Sequence, residues 1–300
     1  MPARLALCGA WLALTGAASS AAGAARAALP QMPAPRAGDR ILVIAPHPDD
    51  ETLCCGGYLQ RAAAAGASTA VVWMTAGDSF EIDAIVTERT LRPKGSGLEK
   101  LGAQRIAEAH AAADRLGVPR AQQYLLGFPD RDLRLLLRAP AGGAPLRSRY
   151  TGASAVPYAE ALHPGSAYTG AALRSNLQEV IARFAPTIVL AAAPQDRHPD
   201  HSASGALATE LARSGTARAQ VYYWIVHGGH DWPEPRGLHR ERPSRPPRSA
   251  HNLAWERLPL DDTQVAGKLA ALGEHHTQLR VMRRFLEAFV RSDEIYAPAP

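Results

Sequence analysis

ILVIAPHPDDETLCCGGYLQRAAAAG, residues 41–66, decides the fold. Ile41 to Pro46 is an unbroken apolar run, the pattern of a strand covered on both faces. From Glu51 to Ala65 the chain reads as a helix, and Gly66 stops it. The same strand-then-helix unit recurs downstream. TAVVWMT (69–75) is a second strand, and a helix over about 101–116 closes at Gly117. Gln123 to Leu126 is a short third strand. A helix over 171–184 ends at Ala185-Pro186, and TIVLAA (187–192) is a fourth strand. His201 to Arg213 is helical, Val221 to Val226 is a fifth strand, and a helical stretch over 263–291 completes the chain. No internal repeat is visible. Continuous rather than alternating apolar strands, separated by helices, predict a single α/β domain. Its sheet is mostly parallel, with helices on both faces. Two stretches interrupt it, 138–168 and 232–249, the second with five Pro and five Arg. Each is either a surface loop or a lid that shapes the substrate site.

Outside that domain the N-terminus has its own logic. Arg4 is followed by an almost uncharged run from Leu5 to Ala18, then by Ala-x-Ala at 22–24 and 25–27. The run is about 14 residues, short of the roughly 20 that span a bilayer. Residues 1–27 are therefore expected to be a cleaved secretory signal, 28–38 a Pro/Ala-rich spacer, and 39–296 the domain. The mature protein is then expected to be exported, periplasmic or extracellular, without stable membrane insertion. Losing Arg4 and Arg26 takes the formal charge from +5 to about +3. No basic run interleaved with aromatics exists, so nucleic acid is excluded as a partner. Three Cys stand against 11 His, so a metal site must be built from His and carboxylates. Cys8 falls in the leader. Cys54 and Cys55 are adjacent on a helix, where neighbouring side chains point apart, and are expected as small, buried, unbonded residues.

In an open α/β sheet, ligands bind beyond the carboxyl ends of the strands. Two such ends are unusual: PHPDDET (46–52) after the first strand and PQDRHPDH (194–201) after the fourth. Adjacent carboxylates beside a histidine repel one another unless a positive charge is near, and a divalent metal supplies one. His47 and Asp50, three apart on a turn entering a helix, can aim at one point, while Asp49 projects elsewhere. Helix capping is the plain alternative, and it accounts for one aspartate only. His198 and His201 repeat the spacing, with Pro199 suited to a first helical position. One of these imidazoles completes a His-Asp-His set with a position left for water, the layout of catalytic zinc. Alone, the pair would read as exposed loop histidines.

These motifs resemble those of the PIG-L (LmbE-like) N-acetylglucosaminyl deacetylases, zinc hydrolases on a Rossmann-like fold. PHPDDET and HPDH (198–201) carry the resemblance. Arg105-x-x-Glu108, Leu116-Gly117, LGFPD (126–130) and Thr277-Gln278 support it more weakly. The resemblance implies one Zn²⁺ on His47, Asp50 and His201, and Asp49 as general base. It implies that His198 stabilises the charged intermediate or protonates the leaving amine, with Asp200 orienting it. Arg105 and Asp130 are implied sugar-side contacts, beside their plain readings as a solvated helix face and a turn aspartate. Asp196 stands where some relatives have an oxyanion-stabilising tyrosine. The implied partner is a small-molecule or glycan substrate carrying an N-acetylated amino sugar. The alternatives are a metal-dependent hydrolase of another amide or a phosphoester, and a catalytically silent carbohydrate-binding protein. Asp49 speaks against the last, since a pure binder has no use for it. His227, His230, His239 and His251, in and around the second insertion, offer a second metal site only without paired carboxylates, which speaks against one, and Trp232 is a candidate sugar-stacking face. His110, His163, His275 and His276 read as surface or packing residues.

Overall fold

The computed structural model describes residues 29–79, 95–214 and 219–300. The expected signal over residues 1–27 lies outside these described residues. In chain order the elements are β1 (Arg40–Ala45), α1 (Asp50–Ala64), β2 (Ser68–Thr75), α2 (Ser96–Arg115) and β3 (Gln123–Phe128). Then come α3 (Leu133–Arg138), α4 (Gly170–Phe184), β4 (Ile188–Ala192), α5 (Pro199–Ser214) and β5 (Gln220–Trp224). The chain ends with β6 (Glu256–Pro259), α6 (Asp262–Leu272), α7 (His276–Leu286) and β7 (Asp293–Pro298).

The seven strands form one sheet in the order β3-β2-β1-β4-β5-β7-β6. The first five are parallel, and their apolar residues are buried from Ile41 to Ala45 and from Val189 to Ala192. This is the mostly parallel, helix-covered α/β domain that the uninterrupted apolar runs predict. β1 pairs β2 on one side and β4 on the other, with Ile44 opposite Ala191. Strand order therefore reverses between β1 and β4, and their carboxyl ends open side by side. That topology alone brings PHPDD and HPDH together across 150 residues of sequence.

Close packing refines the placement. A Cβ on Gly205 would lie 1.8 Å from the Ala192 carbonyl oxygen, so only glycine lets α5 sit this tightly against the end of β4. His201, one turn earlier on α5, is thereby held against the sheet and fully buried.

Some expectations change. α2 begins at Ser96 rather than near 101, and β3 runs on to Phe128. The helical stretch expected over 263–291 is two helices, and the flanking strands β6 and β7 were not foreseen. They are antiparallel additions at the sheet edge, ERLP and DEIYAP, whose charges and prolines break the apolar pattern. Glu294 in β7 is nevertheless buried. It accepts from Lys268 Nζ at 2.6 Å, from Gly57 and Tyr58 N–H at 2.7 and 2.8 Å, and from the Tyr296 hydroxyl at 2.8 Å. A buried charge with four donors is satisfied, which periodicity cannot reveal. Cys54 and Cys55 are joined by a disulfide within α1, against the expectation that they stay unbonded. Among the described residues no helix is long and apolar enough to cross a membrane.

Candidate metal centre

His47 Nδ1 lies 3.1 Å from His201 Nε2 and 3.3 Å from Asp50 Oδ2, and His201 Nε2 lies 3.2 Å from that same oxygen. A tetrahedral ion with bonds of about 2.0–2.1 Å places its ligands roughly 3.3 Å apart. The triangle therefore has the size of one face of such a site. Two carboxylates select the nitrogens that form it. Asp130 Oδ1 sits 3.1 Å from His47 Nε2, and Asp196 Oδ2 sits 3.2 Å from His201 Nδ1. Each draws the ring proton to its own side and leaves the other nitrogen's lone pair facing the shared point. This donor set fits a divalent ion.

Without an ion, protons must balance the carboxylates. Burial alone would lower the pKa of His201, but Asp50 and Asp196 outweigh it and raise it to about 10. His47 is likewise raised well above the usual value by Asp130, Asp200 and Asp50, against the effect of burial. Asp50, despite burial, is held well below the ordinary carboxylate range by His201 and His47.

Asp49 stands beside the triangle with an unusual backbone. Its φ is 138°, a region that non-glycine residues rarely occupy and that costs about 1–3 kcal/mol. The turn is pinned from behind. Arg105 donates to the Gly77 and Pro48 carbonyls at 2.6 and 3.0 Å, and Gln278 Nε2 donates to the same Pro48 oxygen at 2.6 Å. The Thr277 N–H and hydroxyl donate to Glu108. Two of the weaker motif pieces, Arg105-x-x-Glu108 and Thr277-Gln278, thus converge behind the PHPDD turn. Burial raises Asp49 to about 6, with Asp50 adding and Arg105, 3.5 Å away, opposing.

His198 packs edge-on to His47, ring centroids 4.7 Å apart, and one of its nitrogens lies within 4.8 Å of one nitrogen each of His47 and His201. Its Nδ1 accepts the Asp200 backbone N–H at 3.2 Å. The neutral ring therefore carries its proton on Nε2. Burial, with the charges of His47 and His201, pushes His198 down to about 2. A bound cation acts in the same direction, so His198 is a neutral donor.

The structure brings His47, Asp49, Asp50, His198 and His201 together and reassigns the rest. The Asp200 carboxylate does not orient His198. It accepts from the Arg131 and Leu133 N–H groups at 2.6 and 3.1 Å and lies 3.4 Å from His47 Nε2. Only the Asp200 backbone N–H reaches His198. Asp130 and Arg105 border the cleft, but their bonds go to His47 and the Ser79 N–H, and to loop carbonyls, so both position the site. Trp232 is buried in its own loop against Phe289, with Nε1 on the Arg245 carbonyl, and does not line this cleft. The apolar wall is Leu53, Val226, Met282 and Phe285, around about 220 Å³.

Three neighbours of the site carry no role in the sequence reading, Glu51 and His275 buried and His227 half-buried. Glu51 accepts from Trp73 Nε1 at 2.9 Å and from the Asp49 N–H at 3.1 Å, and lies 3.2 Å from His275. His227 has its ring centroid 4.7 Å from that of His201. It follows β5 directly, so the rule that sites lie beyond strand carboxyl ends signals it. Nothing in the sequence signals His275, which arrives from α7's N-terminus.

Asp130→Asn and Asp196→Asn are each expected to weaken metal binding about 10- to 100-fold, since an amide cannot hold the imidazole proton as a carboxylate does. Competition against a chromophoric chelator measures this. Unchanged affinity in both would remove their positioning role.

Residues 42–212 match the family described as "PIG-L: GlcNAc-PI de-N-acetylase". A 1D-myo-inositol 2-acetamido-2-deoxy-alpha-D-glucopyranoside deacetylase from Segniliparus rotundus is 27% identical, over 87% of this chain and 83% of that protein. The N,N'-diacetylchitobiose deacetylase from Pyrococcus horikoshii superposes with TM-score 0.53 at 19% identity, covering 87% of this chain and 83% of that one. The 4-carboxy-2-hydroxymuconate hydratase GalB from Pseudomonas putida superposes as well, TM-score 0.52 at 18% identity, over 84% and 82%. Likeness at this level shows the fold, and reaction type must be argued from the site.

Proposed function

The chain belongs to the PIG-L family, and from that membership and the site geometry we propose a zinc-dependent N-deacetylase. It hydrolyses the acetamide of an N-acetylglucosamine-type sugar or glycoconjugate to acetate and a free amine. The observation that carries this is the His47–Asp50–His201 triangle, with Asp49 strained beside it on the same cleft.

An unactivated amide resists hydrolysis because water is a weak nucleophile and the amine a poor leaving group. A divalent ion on His47, Asp50 and His201 supplies Lewis-acid polarisation of the acetyl carbonyl and makes water more acidic. The chain's own groups do the rest. Asp49, raised to about 6, is ionised at neutral pH yet basic enough to take the proton of the attacking water. His198, with its proton on Nε2, donates a hydrogen bond to the carbonyl oxygen as negative charge develops there. When the C–N bond breaks, the proton held on Asp49 passes to the sugar nitrogen to give the amine, and the acetic acid left behind gives up the water's second proton to become acetate. Arg105 and Gln278 keep the turn in place by holding Pro48, and the apolar wall limits competing water.

The test is acetate release. Purified protein, with and without Zn²⁺, is incubated with a panel of N-acetylated amino sugars. Metal-dependent acetate from at least one is expected. No acetate from any, with the ion shown to be bound, would overturn the reading.

A further inference from the structure

Arg131 follows Asp130 in the loop after β3 and adopts φ 67°. This left-handed conformation is glycine's, and a bulky side chain occupies it under strain. The loop needs that backbone because the Asp200 carboxylate captures the Arg131 N–H at 2.6 Å. Glycine would meet the same need without strain, so the side chain itself calls for an explanation. It is exposed, borders the metal cleft together with His198, and forms no ion pair among the described residues.

The other charges of the cleft are engaged. Asp50 belongs to the ligand triangle, Asp130 holds His47, Asp49 faces Arg105, and Arg105 is spent on backbone carbonyls. Arg197, next to His198 on the neighbouring loop, is also exposed without an ion pair among the described residues. Arg236, 3.6 Å from Glu234, lies over the Phe285 ring of the apolar wall and is already paired. Arg131 therefore offers the cleft a guanidinium outside any ion pair among the described residues, beside carboxylates that are already engaged.

We propose that Arg131 determines specificity, selecting N-acetylated sugars that carry an oxyanion next to the acetamide-bearing carbon over neutral ones. This rests on the deacetylase reading and goes beyond it by naming the charge of the substrate. A guanidinium pairs with phosphate or carboxylate through paired hydrogen bonds, and at the edge of a cleft it does so only partly exposed to water. The oxyanion comes from a phosphate or from an acidic ether substituent, and both are tested.

Three substrates are compared: N-acetylglucosamine, N-acetylglucosamine 1-phosphate and N-acetylmuramic acid. For at least one anionic substrate, kcat/KM is expected to exceed that of the neutral sugar about ten- to a hundredfold. Which one responds says whether phosphate or carboxylate is read. In Arg131→Met the anionic-to-neutral ratio falls towards one, and raising the salt concentration shrinks the wild-type ratio. Arg131→Gly, which suits the left-handed backbone, gives the same fall with the fold secure, and Arg131→Lys keeps part of the ratio. Hydrolysis of the neutral sugar without an anionic preference, or a ratio surviving in both Arg131→Met and Arg131→Gly, overturns the assignment to Arg131. Hydrolysis of none of the three, or of any panel sugar, overturns the deacetylase reading beneath it.

Discussion

Asp49→Asn is expected to lower kcat by about 10²–10⁴-fold while the metal stays bound, because it deletes the proton acceptor and leaves the ligands untouched. Asparagine matches aspartate in shape and is among the residues that best tolerate positive φ, so the strained turn survives. Metal content and turnover are measured on the same sample. Loss of the ion would mean that Asp49 is a ligand and the base lies elsewhere, and undiminished turnover would remove it from the mechanism. The pH profile gives a second readout. Asp49 is raised to about 6, so the base is active above that pH and protonated below it. With the metal kept saturating across the range, wild-type kcat/KM should therefore fall as pH drops through this region, and the limb should vanish in Asp49→Asn. Stability should move the other way. A carboxyl raised in the folded state disfavours folding once ionised, so above pH 6 the metal-free variant should melt higher than wild type. A group that costs stability and supports turnover is what a catalytic position looks like.

The parts of the fold and site that were legible share a physical cause. β1, β2 and β4 are buried on both faces, so their sequences are plain apolar runs, and the turns after β1 and β4 carry polar residues that nothing apolar explains. Spacings of three put His47 with Asp50 and His198 with His201 on one side of a turn, while the choice of His201 over His198 came from the family resemblance. What was missed depends on chain paths that spacing does not encode. Asp130 and Asp196 each hold the remote nitrogen of one histidine of the triangle, His47 and His201, and only the positions of the loops after β3 and β4 reveal it. Asp200 lies two residues from His198, yet its carboxylate turns to the Arg131 and Leu133 N–H groups. Adjacency suggested an orienting role, but backbone donors at the start of α3 were the stronger claim on that charge. Strands β6 and β7 were hidden because Glu294 is buried with its own donors. His275 meets Glu51 across 224 positions, beyond any local pattern.

Metal binding is expected to tighten about a hundredfold per pH unit around neutrality, and the metal-free site explains why. His201 is raised to about 10 and His47 well above 6.5, so both imidazoles are protonated before the ion arrives. As ligands both must be neutral at His47 Nδ1 and His201 Nε2, so binding expels two protons, and the logarithm of affinity rises with slope about 2. Asp50 releases none, since it is already ionised. The exchange keeps the buried charge constant, two protons leaving as a dication enters. Chelation should accordingly abolish activity without unfolding the chain. The stability sign follows from the same shifts. A raised imidazole pKa stabilises the metal-free fold fully below about 6.5, and this contribution fades as pH rises through about 10 for His201. Metal-free protein should melt lower at pH 10 than at pH 7, with the loaded protein changing less. Calorimetry of Zn²⁺ binding in buffers of different ionisation enthalpy counts the protons directly. A count near two supports the two-imidazole site, while a count near zero would mean that the nitrogens facing each other at 3.1 Å are not the ligands.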